Sequence, residues 1–333
     1  MRHHVRAVLG LLMIAALHPV HAEEFNVFGG GTRDLDRHHT SYSYELEYMQ
    51  PVTSHLAASL GHLNEGHLPD DHRDGYQLQL WGRTELRNQH LTLSAGLGPY
   101  WYLDTNLRSG SGAFTDDHGF GEILSLDAAW HKGSRWMYHA RANWINAPGS
   151  FNSATLSIGA GYLLSSEWCS SAEAKELGCP GWTSGKELTL YGGTEIINSF
   201  DTSPRSAVGA LEYRRGIARN ADWTATLIHE NNELLARRTG LMTQVWAVRP
   251  VSGQDWRLGL GLGPYVALGG SNNGTAGEPN PRRVCGVISA TAARRLNSRW
   301  DARLTWNRIF TTDSRDADTI LLGLGYSLAD PKQ

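Results

Sequence analysis

The thirteen residues Leu91-Thr92-Leu93-Ser94-Ala95-Gly96-Leu97-Gly98-Pro99-Tyr100-Trp101-Tyr102-Leu103 decide how this chain folds. Leu91, Leu93, Ala95, Leu97, Pro99, Trp101 and Leu103 fall on one side of an extended chain. Thr92, Ser94, Gly96, Gly98, Tyr100 and Tyr102 fall on the other. A period of two marks a strand with one apolar face. The run is about twice the length of a usual soluble strand and long enough to cross a bilayer's hydrocarbon at a tilt.

The same alternation recurs along the chain. Tyr76, Leu78 and Leu80 oppose Gln77, Gln79, Trp81 and Arg83, while Leu156, Ile158, Ala160 and Tyr162 oppose Thr155, Ser157, Gly159 and Gly161. Strands are predicted at 25–35, 40–52, 54–66, 73–86, 91–104, 120–132, 136–148 and 151–164. A second set is predicted at 186–199, 206–218, 221–232, 238–251, 255–268, 281–296, 299–310 and 316–328. Connections at Pro51-Val52-Thr53, Arg87-Asn88, Lys132–Arg135 and Asn297-Ser298 are tight, whereas 105–119 and 269–280 are long and polar. Short turns at one end and long loops at the other are the asymmetry of an outer-membrane barrel: periplasmic turns, external loops. The expected fold is therefore all-β, a transmembrane antiparallel outer-membrane β-barrel of about 16 strands.

Tryptophan supports this reading. On the leucine face, Trp130, Trp136, Trp223, Trp256 and Trp300 fall at the short-turn end, and Trp101, Trp144 and Trp306 toward the long loops. Indole rings favour the membrane–water boundary, so two girdles are expected. A hydrophobic fraction of 41% is ordinary, as it must be when only one strand face meets lipid. A net charge of −3 without a basic block argues against nucleic acid.

The basic start Met1–Arg6, the apolar run Ala7–Leu17 and the small residues of Val20-His21-Ala22 form a signal peptide over 1–22, giving a mature chain from about Glu23. Cys169 and Cys179 sit in one polar segment and are expected to pair in an oxidising periplasm, while Cys285 lies in a strand pattern.

Shifted by 165, Gly75, Gln79 and Trp81 fall on Gly240, Gln244 and Trp246, and Leu93-x-x-Gly96-Leu97-Gly98-Pro99-Tyr100 on Leu258-x-x-Gly261-Leu262-Gly263-Pro264-Tyr265. With smaller shifts, Arg141 and Trp144 match Arg303 and Trp306, and Gly159-Ala160-Gly161-Tyr162 matches Gly323-Leu324-Gly325-Tyr326. The chain is thus expected to be two homologous eight-strand units, 23–164 and 186–333, joined by a periplasmic connector over 165–185. In strand number, girdles and the Gly-x-Gly-Tyr closing strand, each half resembles the eight-stranded outer-membrane barrels of the OmpA, OmpX and lipid A deacylase type.

Charged residues also repeat on the inward face: Glu47 with Glu212, Glu65 with Glu230, Arg73 with Arg238 and Arg141 with Arg303. Buried charges demand partners, so these eight are expected to form a lumenal network, two acids with two bases per half. Since eight strands enclose just enough room for side chains and sixteen leave a channel, a balanced set in each half favours two small barrels over a single large one.

Other candidate chemistry is thinner. The deacylase resemblance implies a serine and histidine on the lipid-facing rim, but the His-x-Ser-Asn pattern is missing. His139-Ala140-Arg141 is its nearest counterpart, and no serine stands out. His62, His67, Asp70, Asp71 and His72 crowd one external loop, where a divalent cation competes with a solvated-loop reading. Gly29-Gly30-Gly31-Thr32 has no following helix and is not a phosphate loop. Gly96 and Gly98 are expected to leave lumenal room for Tyr100 or Tyr102. No cofactor is implied. The expected role is a structural, adhesive or narrow solute-passage barrel in contact with outer-membrane lipid or lipopolysaccharide, with a small solute or extracellular ligand at the long loops. An outer-leaflet lipid hydrolase and a diffusion porin are the rivals.

Overall fold

A computed structural model describes residues 23–86, 90–107, 114–131, 135–164, 185–197, 205–218, 220–231, 238–251, 255–269, 284–311 and 316–328. The first eight strands are β1 (Glu23–Asp34), β2 (Thr40–Pro51), β3 (Leu56–Leu68), β4 (Asp71–Glu85), β5 (Leu91–Leu107), β6 (Phe114–Trp130), β7 (Trp136–Asn146) and β8 (Ser153–Leu164). The second eight are β9 (Lys186–Ile197), β10 (Arg205–Ala218), β11 (Ala221–Glu230), β12 (Thr239–Val251), β13 (Trp256–Gly269), β14 (Val284–Arg295), β15 (Trp300–Phe310) and β16 (Ala317–Ser327).

Each set closes on itself. β8 returns to β1, from Glu23↔Leu164 to Asp34↔Ser153, and β16 returns to β9, from Ala317↔Ile197 to Ser327↔Glu187. The chain is two closed eight-stranded antiparallel barrels, and the sixteen-stranded alternative is excluded. Closure leaves no strand edge unpaired.

Alternation runs as the sequence implies. Leu80, Leu97, Leu156 and Ile158 point out of the first barrel, and Leu190, Leu211, Leu304 and Leu322 out of the second, all exposed. Trp136 packs edge-on to Tyr162 across β7–β8, and Trp300 likewise to Tyr326 across β15–β16. Trp130 with Tyr138 and Tyr213 with Trp223 add to these outward aromatic pairs at the short-turn ends. The turns are tied by short side chains. Thr53 Oγ1 accepts from the amides of His55 and Leu56, and Asn297 Oδ1 from those of Arg299 and Trp300.

Two differences from the expected strands stand out. β5 runs on to Leu107 and β6 starts at Phe114, so the 105–119 segment is largely strand. The histidine-rich loop is a two-residue turn at Pro69-Asp70, because β3 and β4 continue to the rung His67↔His72 beyond a register shift at Asn64/His67. Gly66 (φ 71°) and Asp70 (φ 65°) take the left-handed conformations this bulge and turn require. The segment expected to be a signal peptide (1–22), most of the expected connector, and Cys169 with Cys179 lie outside the described residues. Cys285 is partly buried against the apolar cluster of the second barrel.

The register also revises the duplication. Asn143 faces Thr155 and Asn307 faces Thr319, just as Trp136 faces Tyr162 and Trp300 faces Tyr326, a constant offset of 164. Arg303, opposite Gly323, therefore corresponds to His139, opposite Gly159, and the counterpart of Arg141 is Thr305.

Candidate functional site: the lumenal networks

In each lumen a tyrosine and a tryptophan sit in the space left by a glycine. A Cβ on Gly75 would stand 2.5 Å from the Tyr100 ring, and one on Gly240 2.2 Å from that of Tyr265. Gly96 and Gly261 make the same room for Trp81 and Trp246, with virtual Cβ contacts of 2.6 and 2.5 Å. Gly96 thus accommodates Trp81 and not a tyrosine, while Gly98 lies against the carbonyl of Leu78. The indole N–H of Trp81 donates to Ser59 Oγ at 2.8 Å, and that of Trp246 to Thr224 Oγ1 at 2.9 Å. The glycines, tryptophans and tyrosines that make the repeat visible are paired knobs and holes.

Above the tyrosines, toward the β3–β4 end, the first barrel carries a bidentate ion pair. Arg73 Nε reaches Glu65 Oε2 at 2.5 Å and Nη2 reaches Oε1 at 2.9 Å, while Tyr100 donates to Oε2 at 3.0 Å. The second barrel repeats it. Arg238 binds Glu230 at 2.6 and 2.8 Å, and Tyr265 donates to Oε2 at 2.5 Å. In the first barrel Arg73 also holds the β7–β8 connection, donating to Ser150 Oγ, the Phe151 carbonyl and Ser153 Oγ beneath the Phe151 ring 3.7 Å away. That connection is pulled over the mouth of the barrel.

Beside the tryptophan the two lumens differ. Arg141 in the first barrel lies 4.0 Å over the Phe28 ring and 4.8 Å over that of Trp81. It donates to Glu45 Oε1 (2.7 Å), Glu47 Oε1 (2.8 Å) and Asp127 Oδ2 (3.1 Å). Asp127 also meets His139 Nδ1 at 3.0 Å; Asn26 donates to Glu47, and Gln77 and Asn143 to Glu45. In the second barrel the guanidinium over Trp246, at 4.4 Å, belongs to Arg214 on β10, which binds Glu212 at 3.0 Å. Arg303 instead binds Glu187 at 2.7 Å, and Arg257 binds Asp301 at 2.8 Å.

The eight residues singled out from the sequence are all buried. The structure joins Glu65 with Arg73, Glu230 with Arg238 and Glu47 with Arg141, whereas Glu212 and Arg303 bind other partners. The expected balance of two acids and two bases is not met. Three carboxylates share Arg141, because Glu45 and Asp127 lie on the same inward parity as Glu47 on strands far apart in sequence. Their inward positions signalled candidacy, but nothing in the spacing told which would meet.

Other candidates resolve differently. His139 is buried in the lumen and cannot serve a lipid-facing active site. His67 and His72 stack at 4.2 Å, while His62 sits lower on the outer wall between Tyr44 and Tyr76, with Nε2 3.9 Å from Asp74. Among the described residues no three His, Cys, Asp or Glu side chains are arranged to hold a metal ion.

No family model matches this chain, and no curated protein matches it. Solved structures do. The N-terminal β-barrel domain of Pseudomonas aeruginosa OprF is 11% identical, covering 42% of this chain and 96% of its own, with a TM-score of 0.34. The attachment invasion locus protein Ail of Yersinia pestis is 13% identical over 43% of this chain and 99% of its own, TM-score 0.33. Neisserial surface protein A is 10% identical, covering 42% of this chain and 95% of its own, with a TM-score of 0.32.

Proposed function

We propose that this chain is an exported outer-membrane protein whose two barrels are closed, non-conducting modules with a structural or adhesive role. The observation that carries this is the filling of both lumens by rings and buried ion pairs, Trp81, Tyr100 and Arg141 in the first and Trp246, Tyr265 and Arg214 in the second. Outside, rows of exposed leucine and isoleucine end in Trp–Tyr pairs, the surface that lipid or lipopolysaccharide would cover. With passage blocked, recognition falls to the connections at the strand ends.

Planar-bilayer recording on the purified protein tests the reading. No discrete conductance steps are expected, and stable open channels would overturn it in favour of solute passage. The lipid-hydrolase rival predicts altered lipid A when the protein is expressed, which mass spectrometry detects. With His139 turned inward, unchanged spectra are expected. Export is tested by N-terminal sequencing of the membrane-extracted protein, expected to begin at Glu23.

A further inference from the structure

The short-turn end of the second barrel's outer wall is basic where that of the first is not. Lys186 on β9 and Trp223 on β11 flank Arg215 on β10 in one rung. Arg249 on β12 faces Leu258, one outward position up β13 from Trp256, and Trp256 faces Arg294 on β14. Arg299, in the β14–β15 turn, donates to the Tyr326 hydroxyl at 3.0 Å. Lys186, Arg215, Arg294 and Arg299 are exposed and Arg249 is half-buried. Among the described residues at this rim, Asp255 in the β12–β13 turn is the exposed carboxylate. Matched through the strand registers, the same five positions of the first barrel hold Glu23, Gln50, Thr84, Trp130 and Arg135.

Five cations on one rim repel one another and attract anions. Their level says which anions they meet. Trp223, Trp256 and Trp300 are the indoles of this end's girdle, the height of a membrane boundary. An arginine there lays its stem along the apolar wall and keeps its head among the lipid headgroups. The best-formed place is Trp256. The Arg294 guanidinium carbon stands 5.6 Å from the centre of its ring, and Arg249 approaches from the opposite strand, its Nη1 donating to the Val248 carbonyl at 3.3 Å. The strand spacing and the two-residue stagger put the two arginine backbones roughly 10–12 Å apart. Two long side chains can close that gap on one phosphate from both sides, and the guanidinium fork matches phosphate oxygens in pairs.

We propose that Arg249, Trp256 and Arg294 seat the headgroup of an anionic phospholipid on the second barrel, in the leaflet that meets the short turns. The inference rests on the outer-membrane reading above and adds a lipid class to it. Lys186 and Arg215, three strands round the wall, extend the positive field along the same rim. The first barrel is an internal control. Thr84, Leu91 and Trp130 occupy its three matching positions, so it offers an anionic headgroup no pair of guanidinia there.

Native mass spectrometry of the full chain, released from detergent micelles holding equal phosphatidylglycerol and phosphatidylethanolamine, reads which lipid stays bound. The unaltered chain is expected to retain phosphatidylglycerol in excess. A cation beside an anionic surface contributes about fivefold, so Arg249→Gln with Arg294→Gln is expected to cut that excess by about fivefold or more. Arg33→Gln with Arg205→Gln removes the same charge from exposed positions at the long-loop end and is expected to leave the excess unchanged. Equal retention of the two lipids by the unaltered chain, an excess kept without Arg249 and Arg294, or an equal fall without Arg33 and Arg205 would each overturn the proposal. Refolding into phosphatidylcholine vesicles, which carry no net charge, separates it from the membrane reading. A chain that does not insert overturns both, whereas one that inserts and shows no lipid preference overturns the headgroup seat alone.

Discussion

Replacing Arg141 by methionine leaves three buried carboxylates without their shared partner. Arg141 is buried and donates to Glu45, Glu47 and Asp127 at 2.7, 2.8 and 3.1 Å. Charge-assisted hydrogen bonds contribute about 1.5–3 kcal/mol each, so three would sum to roughly 5–9 kcal/mol if independent. They are not independent, because the stranded carboxylates can take up protons instead of staying charged, and breaking a buried pair typically costs about 3–5 kcal/mol. The expected loss for Arg141→Met is therefore about 4–5 kcal/mol, roughly a thousandfold in the folding equilibrium. Adding Glu45→Gln and Glu47→Gln removes the stranded charge and leaves Asp127 with His139, so the triple variant is expected within about 2 kcal/mol of the unaltered protein. Urea unfolding in micelles, followed by hydrogen exchange in β1–β8 peptides, isolates the first barrel from the second. The reasoning is refuted if Arg141→Met alone costs less than about 1 kcal/mol, or if the triple variant is no more stable than the single one.

Gly96→Ala forces a methyl into the Trp81 ring and is expected to cost about 1–3 kcal/mol, whereas Gly29→Ala, with nothing within 4 Å of its virtual Cβ, should unfold at nearly the same urea concentration as the unaltered chain. Tyr100→Phe and Tyr265→Phe each remove a donor to a buried carboxylate at matching positions, and about 1.5–3 kcal/mol is expected from either in the same assay. Ile158→Lys sets a charge on the outer wall of β8, where the side chain is 76% exposed, and should weaken refolding into lipid vesicles by about 2–4 kcal/mol. A variant that inserts as well as the parent would show that this face does not meet hydrocarbon.

Strand alternation made sixteen strands legible because lipid and lumen sort side chains by parity alone. The knobs and holes at Gly75/Tyr100 and Gly96/Trp81 made the duplication legible, since both copies keep them. What parity cannot report is height. Ala140-Arg141-x-x-Trp144 and Ala302-Arg303-x-x-Trp306 match in letters, yet a slip of two residues leaves every side chain on its own face, and only the ladder shows that Arg303 stands where His139 does. For the same reason Glu45 and Asp127 read as two more inward acids. Their meeting on Arg141 depends on position around the barrel wall, which the shear of a closed sheet sets and no local pattern encodes.

The change of strand that supplies the cation over the tryptophan has a consequence for how a duplicated chain finds its own partners. Tandem copies invite cross-assembly, in which one copy's last hairpin completes the other's sheet. Were β15–β16 to complete β1–β6, Thr305 would replace Arg141 and leave Glu45 and Glu47 without their guanidinium, while Arg303 would stand in the place of His139 beside Asp127. In the reciprocal hybrid, Arg141 and Arg214 would compete for the single indole of Trp246. The divergence of the two plugs thus makes each hairpin a key that fits only its own lock.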